Sequence, residues 1–229
     1  MSYGVAAYAD LPLYGLPVAV FDFETTGVDP RECKAVELAI VHCNLGQDNA
    51  EVVFEKRFNP GRHIPEGASS VHGIGDDDVK DLDCMSEHID EILQLLDGRV
   101  LAAYNLPYDW TLMSVEIGSQ YDAQFFGICG LVMSRSLDGL FGGHKLEKVC
   151  NSRGIDLDNA HSASADVLAT ARLIEALLGE VTQRQGVRFP TLRDYWGWQR
   201  GEAMVQERGL RDWLRGKGEC GDFWPWTDY

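Results

Sequence analysis

A stretch near the N-terminus, Val18 to Gly27, constrains the fold most, because it joins a run of apolar residues to two carboxylates. Residues 18–21 are all apolar, which is typical of a strand that is buried on both faces. Side chains two positions apart on a strand point to the same side, so Asp22 and Glu24 are expected to project together. Because two such carboxylates repel each other, the strand must end either in solvent or at a divalent cation such as Mg²⁺ or Mn²⁺.

The charge of the chain is distributed unevenly. Residues 1–183 contain 29 acidic and 12 basic residues, whereas residues 184–229 contain 7 and 8. The acidic part of the chain, residues 1–183, is expected to bind duplex nucleic acid weakly, since Lys and Arg contacts to phosphates supply most non-specific affinity. No apolar run reaches membrane-spanning length and no signal pattern opens the chain, so we expect a cytoplasmic protein without membrane contact. The six cysteines lack a Cys-x-x-Cys pair and indicate neither a zinc site nor a disulfide framework.

Hydrophobic periodicity and turn signals predict an α/β fold. Three strands separated by turn-rich segments come first and indicate an antiparallel meander. A meander followed by alternating helices and strands is typical of a mixed sheet flanked by helices, and we place this domain over residues 1–183. Residues 127–134 fit a helix and a strand equally well. The remaining predictions are strands at about 17–24, 36–43, 52–58 and 100–104, a short helical piece near 68–71, and helices at 86–96, 107–117, 145–152 and 162–178.

The last part of the chain, residues 184–229, is expected to form a C-terminal helical extension. It is rich in tryptophan, and residues 191–215 are expected to form a long helix weakened by three glycines. This extension could pack on the core, since Trp buries a large area. It could instead offer a stacking platform for bases or a docking surface for a protein partner. Its tryptophans are Trp196, Trp198, Trp213, Trp224 and Trp226.

Two further polar positions lie at predicted helix starts. Asn105 and Asp109 are four residues apart, where an Asn suits an N-cap and an Asp suits the positive end of the helix dipole. His161 precedes the longest predicted helix and Asp166 lies near its first turn. Each of these residues alone has an ordinary structural explanation.

The order of these residues along the chain carries more information than any one of them. Four acids that converge from separate elements would repel strongly unless cations lie between them. Two divalent ions would satisfy them, and such a pair of ions catalyses in-line displacement at phosphorus. A histidine beside them would be a suitable general base for the attacking water. The chain therefore predicts a two-metal phosphodiester hydrolase.

With these motifs, the sequence resembles the DEDDh 3′–5′ exonucleases, the family of the proofreading epsilon subunit of bacterial DNA polymerase III. The similarity covers about residues 16 to 180, and the tail more loosely resembles those of stand-alone exonucleases from actinobacteria and their phages. Tyr104 departs from the family pattern, which often has His there, and Cys129 or Gly130 stands where an Asp that is not a ligand is common. The matching segments are residues 22–27, 68–74, 105–109, 145–150 and 161–166.

The resemblance implies an RNase H-like mixed five-stranded sheet flanked by helices, with the C-terminal extension beside it. It implies two divalent metal ions, Mg²⁺ or Mn²⁺, and His161 as the general base. Asp22, Glu24 and Asp166 would hold one ion, and Asp22 would bridge to a second ion on which Asp109 acts, mostly through water. The residues implied to contact the terminal nucleotide are Thr25, Thr26, Gly27, Val71, His72, Asn105 and Tyr108.

We therefore expect a metal-dependent 3′–5′ exonuclease that acts on single-stranded DNA ends and releases nucleoside 5′-monophosphates. One alternative is an exoribonuclease that acts on RNA or short oligoribonucleotides. Another is a polymerase-associated or replication-associated module that binds its partner through the Trp-rich tail. A catalytically inactive nucleic-acid binder is disfavoured because no catalytic acid is missing. The sequence leaves the oligomeric state and the preferred metal open.

Overall fold

The structure, a computed structural model, describes residues 8–118, 127–157 and 162–218. Its strands are β1 (Pro17–Thr25), β2 (Ala35–Asn44), β3 (Glu51–Arg57), β4 (Val100–Ala103) and β5 (Ile128–Cys129). They form one five-stranded sheet in the order β3-β2-β1-β4-β5. The pairings β1–β2 and β2–β3 are antiparallel, whereas β1–β4 and β4–β5 are parallel. The predicted mixed sheet, with a meander at its beginning, is confirmed.

Eight α-helices surround this sheet in the described part of the chain. They are α1 (Glu66–His72), α2 (Asp76–Val79), α3 (Ile89–Leu96), α4 (Leu106–Ile117), α5 (Gly130–Asp138), α6 (Leu146–Asn151), α7 (Ala163–Gln185) and α8 (Leu192–Lys217). Residues 127–134 contain both a strand and a helix start, since β5 has only two residues and α5 follows at once. A two-residue strand is too short to give a periodic signal. Among the described residues, every helix is too short or too polar to cross a membrane.

The central strand β1 separates two hydrophobic layers. Val18 and Val20 face one layer, which contains the inner sides of α5 and α7. Ala19, Phe21 and Phe23 face the second layer, with α3 and α4. Because side chains alternate along a strand, Asp22 and Glu24 continue the row of Val18 and Val20 on the α7 side. The sheet thus directs both acids toward the helix that carries the last predicted acid.

The C-terminal helix α8 packs along the β5 edge of the sheet. Tyr195, Gln199 and Ala203 recur at helical spacing and are buried. The Gln199 side-chain oxygen accepts hydrogen bonds from the Cys129 N–H (2.8 Å) and the Tyr195 hydroxyl (2.6 Å). The Gln199 amide nitrogen donates to the Gly127 carbonyl (2.9 Å). This amide therefore satisfies backbone groups at the β5 edge, which is the last strand on that side of the sheet among the described residues.

The tail tryptophans divide between the core and the surface. Trp198 packs against Phe189 and Tyr195, with ring centroids 5.3 and 5.9 Å away. Trp213 is 42% exposed and lies against Phe141. The first half of α8 is thus part of the folded core, whereas its second half presents an aromatic side chain to solvent. The predicted tail residues outside the described part of the chain include Trp224 and Trp226.

The predicted boundary after residue 183 falls within α7, which ends at Gln185. The segment before α8 packs on the N-terminal lead-in, where Thr191 forms a β-bridge with Pro12. The Leu13 N–H also donates to the Pro190 carbonyl (3.1 Å). The division into residues 1–183 and 184–229 stays a prediction, but the beginning of the extension is in close contact with the domain.

Replacing Gln199 with Ala should lower the free energy of unfolding by about 2–6 kcal/mol. The change leaves a buried N–H and a buried carbonyl without partners, and each such loss costs about 1–3 kcal/mol. Urea unfolding of the purified variant measures this difference. The matched control is Gln183→Ala on the exposed side of α7, which should stay within about 0.5 kcal/mol of the parent protein. Equal stability of Gln199→Ala and the parent would mean that α8 does not unfold together with the sheet.

Candidate active site

Three of the predicted acids meet at the end of β1. Asp22, Glu24 and Asp166 each offer a carboxylate oxygen, and these oxygens all lie within 4.8 Å of one another. The first two come from β1, whereas Asp166 comes from the first turn of α7. Strand alternation and the packing of α7 on the same face of the sheet bring them together. Residues more than 140 positions apart in sequence thus form one cluster.

The electrostatics of this cluster are unfavourable without a cation. Burial, together with the charges of Asp22, Asp166 and Glu37, raises the pKa of Glu24 to about 8. Burial likewise raises the pKa of Asp22, and the charges of Asp166 and Glu37 raise it further. Within the described residues, neither Asp22 nor Glu24 forms an ion pair with a Lys, Arg or His side chain. An all-oxygen donor set of this kind fits a hard divalent cation such as Mg²⁺ or Mn²⁺.

The fourth predicted acid, Asp109, lies beside this cluster but outside the set of three whose oxygens meet. It is buried in the first turn of α4. Burial and the charge of Asp22 raise its pKa well above the ordinary value, while hydrogen bonds from its own amide and that of Phe23 act in the opposite direction. Asp109 therefore lies close enough to Asp22 for their charges to interact, and the Phe23 N–H at the end of β1 helps to hold its carboxylate in place.

A cavity of about 500 Å³ opens next to the acids. Its walls are the loop after β1 and helix α1, and its volume is in the range of ligand-binding sites. Glu24 belongs both to the acid cluster and to the cavity wall, so a molecule in the cavity would lie beside the carboxylates. Six of the predicted site residues line it, namely Glu24, Thr25, Thr26, Gly27, Val71 and His72, together with Val28, Pro65, Gly67 and Ala68.

Tyr108 supports the wall of this cavity from behind. Its hydroxyl group donates to the Gly27 carbonyl (2.8 Å) and lies 2.9 Å from the Thr25 hydroxyl. The Thr25 hydroxyl itself donates to the Gly27 carbonyl (2.7 Å). Asn105 occupies the N-cap position of α4 without a side-chain capping bond and is exposed. Tyr108 and Asn105 are not among the lining residues of the cavity, although the resemblance implies nucleotide contacts for both.

Two histidines were predicted in this region. His72 ends α1, is buried, and accepts a hydrogen bond from the Ile74 N–H at its Nδ1 atom (3.1 Å). This bond fixes the ring orientation at the cavity wall. The predicted general base, His161, lies outside the described residues, which resume at Ser162 at the N-cap of α7.

One further buried acid lies in this region, Glu37 on β2, which the sequence motifs do not predict. It pairs in register with Glu24 across the β1–β2 ladder and is 5% exposed. Its charge also raises the pKa of Asp22. The available signal was a single Glu within an apolar strand, which needs a partner because a buried carboxylate is unfavourable alone.

Comparisons with known proteins give the family context. The exonuclease family model matches residues 19–174. A DNA polymerase III subunit epsilon-like protein of Rhodobacter capsulatus is 32% identical over 187 residues, which are 79% of this chain and 26% of that protein. The 3′-5′ exonuclease DinG of Bacillus subtilis is 28% identical over 179 residues, 76% of this chain and 18% of that protein. The chain thus spans about a quarter or less of the length of these two relatives.

Solved structures with this fold include a complex of E. coli exonuclease I with single-stranded DNA. It has a TM-score of 0.59 and 20% identity, and the match covers 83% of this chain and 45% of that chain. Exonuclease X in complex with 5′ overhanging duplex DNA has a TM-score of 0.51 and 17% identity over 78% of this chain and 99% of that chain. These structures share the RNase H-like sheet with flanking helices.

Metal-free protein should lose stability as the pH rises from about 4 to about 8. The raised pKa values of Asp22 and Glu24 mean that the folded state binds more protons than the unfolded state in this interval. The free energy of unfolding therefore falls with pH. Adding Mg²⁺ or Mn²⁺ should reduce the fall, because a bound cation stabilises the ionised carboxylates. Thermal unfolding across this interval, in EDTA and with metal, measures both effects.

The variant Asp22→Asn isolates the contribution of the cluster. Without metal its unfolding temperature should depend less on pH than that of the parent protein, because one titrating carboxyl is gone. Glu175→Gln is the matched control. Glu175 also lies on α7, but its carboxylate accepts a hydrogen bond from the Gly46 N–H and does not belong to the acid cluster. Parallel pH curves for Asp22→Asn and the parent protein would contradict the assigned electrostatics.

Proposed function

Since the chain belongs to the DEDDh, or DnaQ-like, exonuclease family, we propose that it is a metal-dependent 3′–5′ exonuclease on single-stranded DNA. It would hydrolyse the 3′-terminal phosphodiester and release nucleoside 5′-monophosphates. One observation carries the proposal: Asp22, Glu24 and Asp166 bring three oxygens within 4.8 Å of one another, and Glu24 also lines a cavity of about 500 Å³. A terminal nucleotide in that cavity would have its phosphodiester bond beside the acids.

The chemistry follows from the residues that face this position. Asp22, Glu24 and Asp166 would hold one divalent ion, and Asp22 with Asp109 would hold a second. Two such ions would supply Lewis-acid stabilisation of the charge that develops on the phosphate and lower the pKa of the attacking water. His161 would accept the proton of that water as general base.

The cavity residues would place the substrate for this reaction. The Thr25–Gly27 turn, braced by Tyr108, would approach the terminal nucleotide with its backbone and hydroxyl groups. The apolar side chain of Val71, 53% exposed, would pack against the base. His72 would contact the sugar, and Asn105 at the start of α4 would reach the same nucleotide from the other side. Fixed walls of this kind contribute to the rate by orientation.

DNA is the favoured substrate, and RNA is the alternative. The structurally similar E. coli exonuclease I was solved with single-stranded DNA. A requirement for DNA or RNA depends on contacts to the 2′-hydroxyl of the sugar. Matched DNA and RNA oligomers with a 5′ label distinguish the two, and faster cleavage of RNA would make exoribonuclease the better assignment. The net charge of −16 favours single-stranded ends over long duplexes in either case.

A second candidate function is an accessory role with a polymerase or another replication protein. The similar Rhodobacter capsulatus protein is named for a DNA polymerase III subunit. The outer side of α8 presents Val205 and Trp213, which are 64% and 42% exposed. Removing the whole tail would not test this role, because Tyr195 and Gln199 of α8 are buried in the core. Val205→Asp with Trp213→Ala leaves the buried face of α8 intact, and loss of a co-purifying partner with full nuclease activity would support the role.

The acid cluster predicts the result of a direct nuclease assay. A 5′-labelled single-stranded oligonucleotide should shorten stepwise from its 3′ end with Mg²⁺ or Mn²⁺, and EDTA should abolish the reaction. Asp166→Asn should lower kcat by more than about 100-fold, because the loss of a direct metal ligand should exceed the effect of replacing a residue that only orients a ligand. Glu175→Gln on the same helix should retain full activity. An intact oligonucleotide with the parent protein and either metal would rule out the proposed function.

The proposed base predicts a different pattern. His161→Ala should lower kcat by about 10²–10⁴-fold while Mn²⁺ binds with nearly the affinity of the parent protein, because a general base acts on the water and not as a ligand. Steady-state kinetics and calorimetric Mn²⁺ titration separate the two quantities. The pH profile of kcat should also lose its ascending limb near the pKa of a histidine. A weaker Mn²⁺ affinity that accounts for the whole loss of activity would instead make His161 a ligand.

A further inference from the structure

The buried carboxylate of Glu37 lies in a row of charged residues that crosses three strands. Glu24 on β1 is paired in register with Glu37 on β2, and Glu37 is paired in register with Arg57 on β3. Two like charges directly opposite each other on neighbouring strands are destabilising. The Glu24–Glu37 pair therefore does not contribute to the stability of the sheet, and a different reason for the acid at position 37 is needed.

Both oxygens of Glu37 are used. One oxygen accepts a hydrogen bond from Arg57 Nε (2.8 Å), an ion pair in which the Glu37 side chain is 6% exposed. The other accepts a hydrogen bond from the backbone N–H of Ala163 (3.2 Å), which is 126 residues further along the chain. Glu37 thus connects the outer strand β3 to the first residue of helix α7.

Helix α7 needs such a partner at its N-terminus. The first N–H groups of a helix have no partner within the helix, and its Ser162 N-cap makes no side-chain capping bond. Glu37 supplies the missing acceptor from another element, and its negative charge is favourable at the positive end of the helix dipole. Ala163 is fully buried, so water does not replace this bond.

The position of this helix end determines where Asp166 lies. Asp166 is three residues after Ala163, and its N–H bonds the Ser162 carbonyl (3.0 Å) within the same first turn. A shift of Ala163 would therefore move the Asp166 carboxylate relative to Asp22 and Glu24. Glu37 is not one of the three acids whose oxygens meet, and its own oxygens are already occupied.

We propose that Glu37, held by Arg57, is a positioning residue that fixes the first turn of α7 and so sets the Asp166 carboxylate for metal binding. This inference rests on the proposed function of the site. Residues that orient metal ligands typically change metal affinity or activity by about 10–100-fold when they are replaced. The strand pair β2–β3 would thus act on the metal site although neither strand contributes a ligand.

Two variants of Glu37 test the role by Mn²⁺ affinity. Glu37→Ala removes both hydrogen bonds and should weaken Mn²⁺ binding by about 10–100-fold in calorimetric titration. Glu37→Gln keeps an oxygen that can accept from Ala163 and should bind Mn²⁺ more tightly than Glu37→Ala. The KM for a single-stranded oligonucleotide should stay within about twofold at saturating metal, since Glu37 does not line the cavity, whereas kcat should fall.

Hydrogen exchange gives a readout in the metal-free protein. In Glu37→Ala the backbone amides of residues 163–166 should exchange faster, because the first turn of α7 has lost its acceptor. The matched control is Glu180→Gln, since Glu180 forms an ion pair with Arg153 (2.7 Å) near the other end of the same helix. That control removes a comparable interaction and should change neither Mn²⁺ affinity nor exchange at residues 163–166.

The outcomes separate this role from general stability and from the proposed function. Mn²⁺ affinity of Glu37→Ala equal to that of the parent protein, or an equal loss in Glu180→Gln, would overturn the positioning role. If Glu37→Ala does not fold, Arg57→Ala, which removes the ion pair that holds the Glu37 carboxylate, is compared with Glu180→Gln by the same two measurements. A parent protein that binds Mn²⁺ but cleaves no oligonucleotide would rule out the proposed function. Mn²⁺ affinity and hydrogen exchange at residues 163–166 would still test the positioning role of Glu37.

Discussion

The mutual repulsion of acids at the end of β1 is the constraint on which the rest of the structure depends. Asp22, Glu24 and Asp166 converge, and burial and like charge raise the pKa of Asp22 and Glu24. Buried carboxyl groups with strongly raised pKa values cluster at functional sites. A fold gains no stability from such a cluster without a cation, so the sheet and helices must hold it in place by interactions made elsewhere.

Those interactions lie in the layers on either side of β1. Because β1 is the central strand, apolar residues cover both of its faces, and the strand ends in a fixed position at the site. On one side, α7 contributes Asp166 from a turn that Glu37 caps. On the other, α4 contributes Asp109, and Tyr108 of the same helix braces the Thr25–Gly27 turn. The site therefore combines rigid elements from both layers, which is how catalytic groups are kept in position.

Local patterns predicted much of this arrangement. The apolar run and the alternation of β1 predicted a buried strand with Asp22 and Glu24 on one side, and helical spacing predicted α4 and α7. Sequence patterns did not predict an element that was too short to show a period, and they did not predict how an element packs on the sheet. β5 has two residues and gives no period, and α8 completes the edge of the sheet through one amide, that of Gln199. Asn105 and Tyr108 match the family motif, and only the packing of α4 places the Tyr108 hydroxyl on the Gly27 carbonyl; their nucleotide contacts stay a prediction.

The sequence by itself determined the identities and the order of the acids, because strand alternation and helix starts are local properties of neighbouring residues. It also determined the family, through motifs that each occupy only a few positions. Only the tertiary structure decided which acids meet, that Glu24 also lines a cavity, and that Glu37 connects Arg57 to the start of α7. These relations join residues up to 144 positions apart, as Asp22 and Asp166 are, and the packing of α7 on the sheet sets the distance between them.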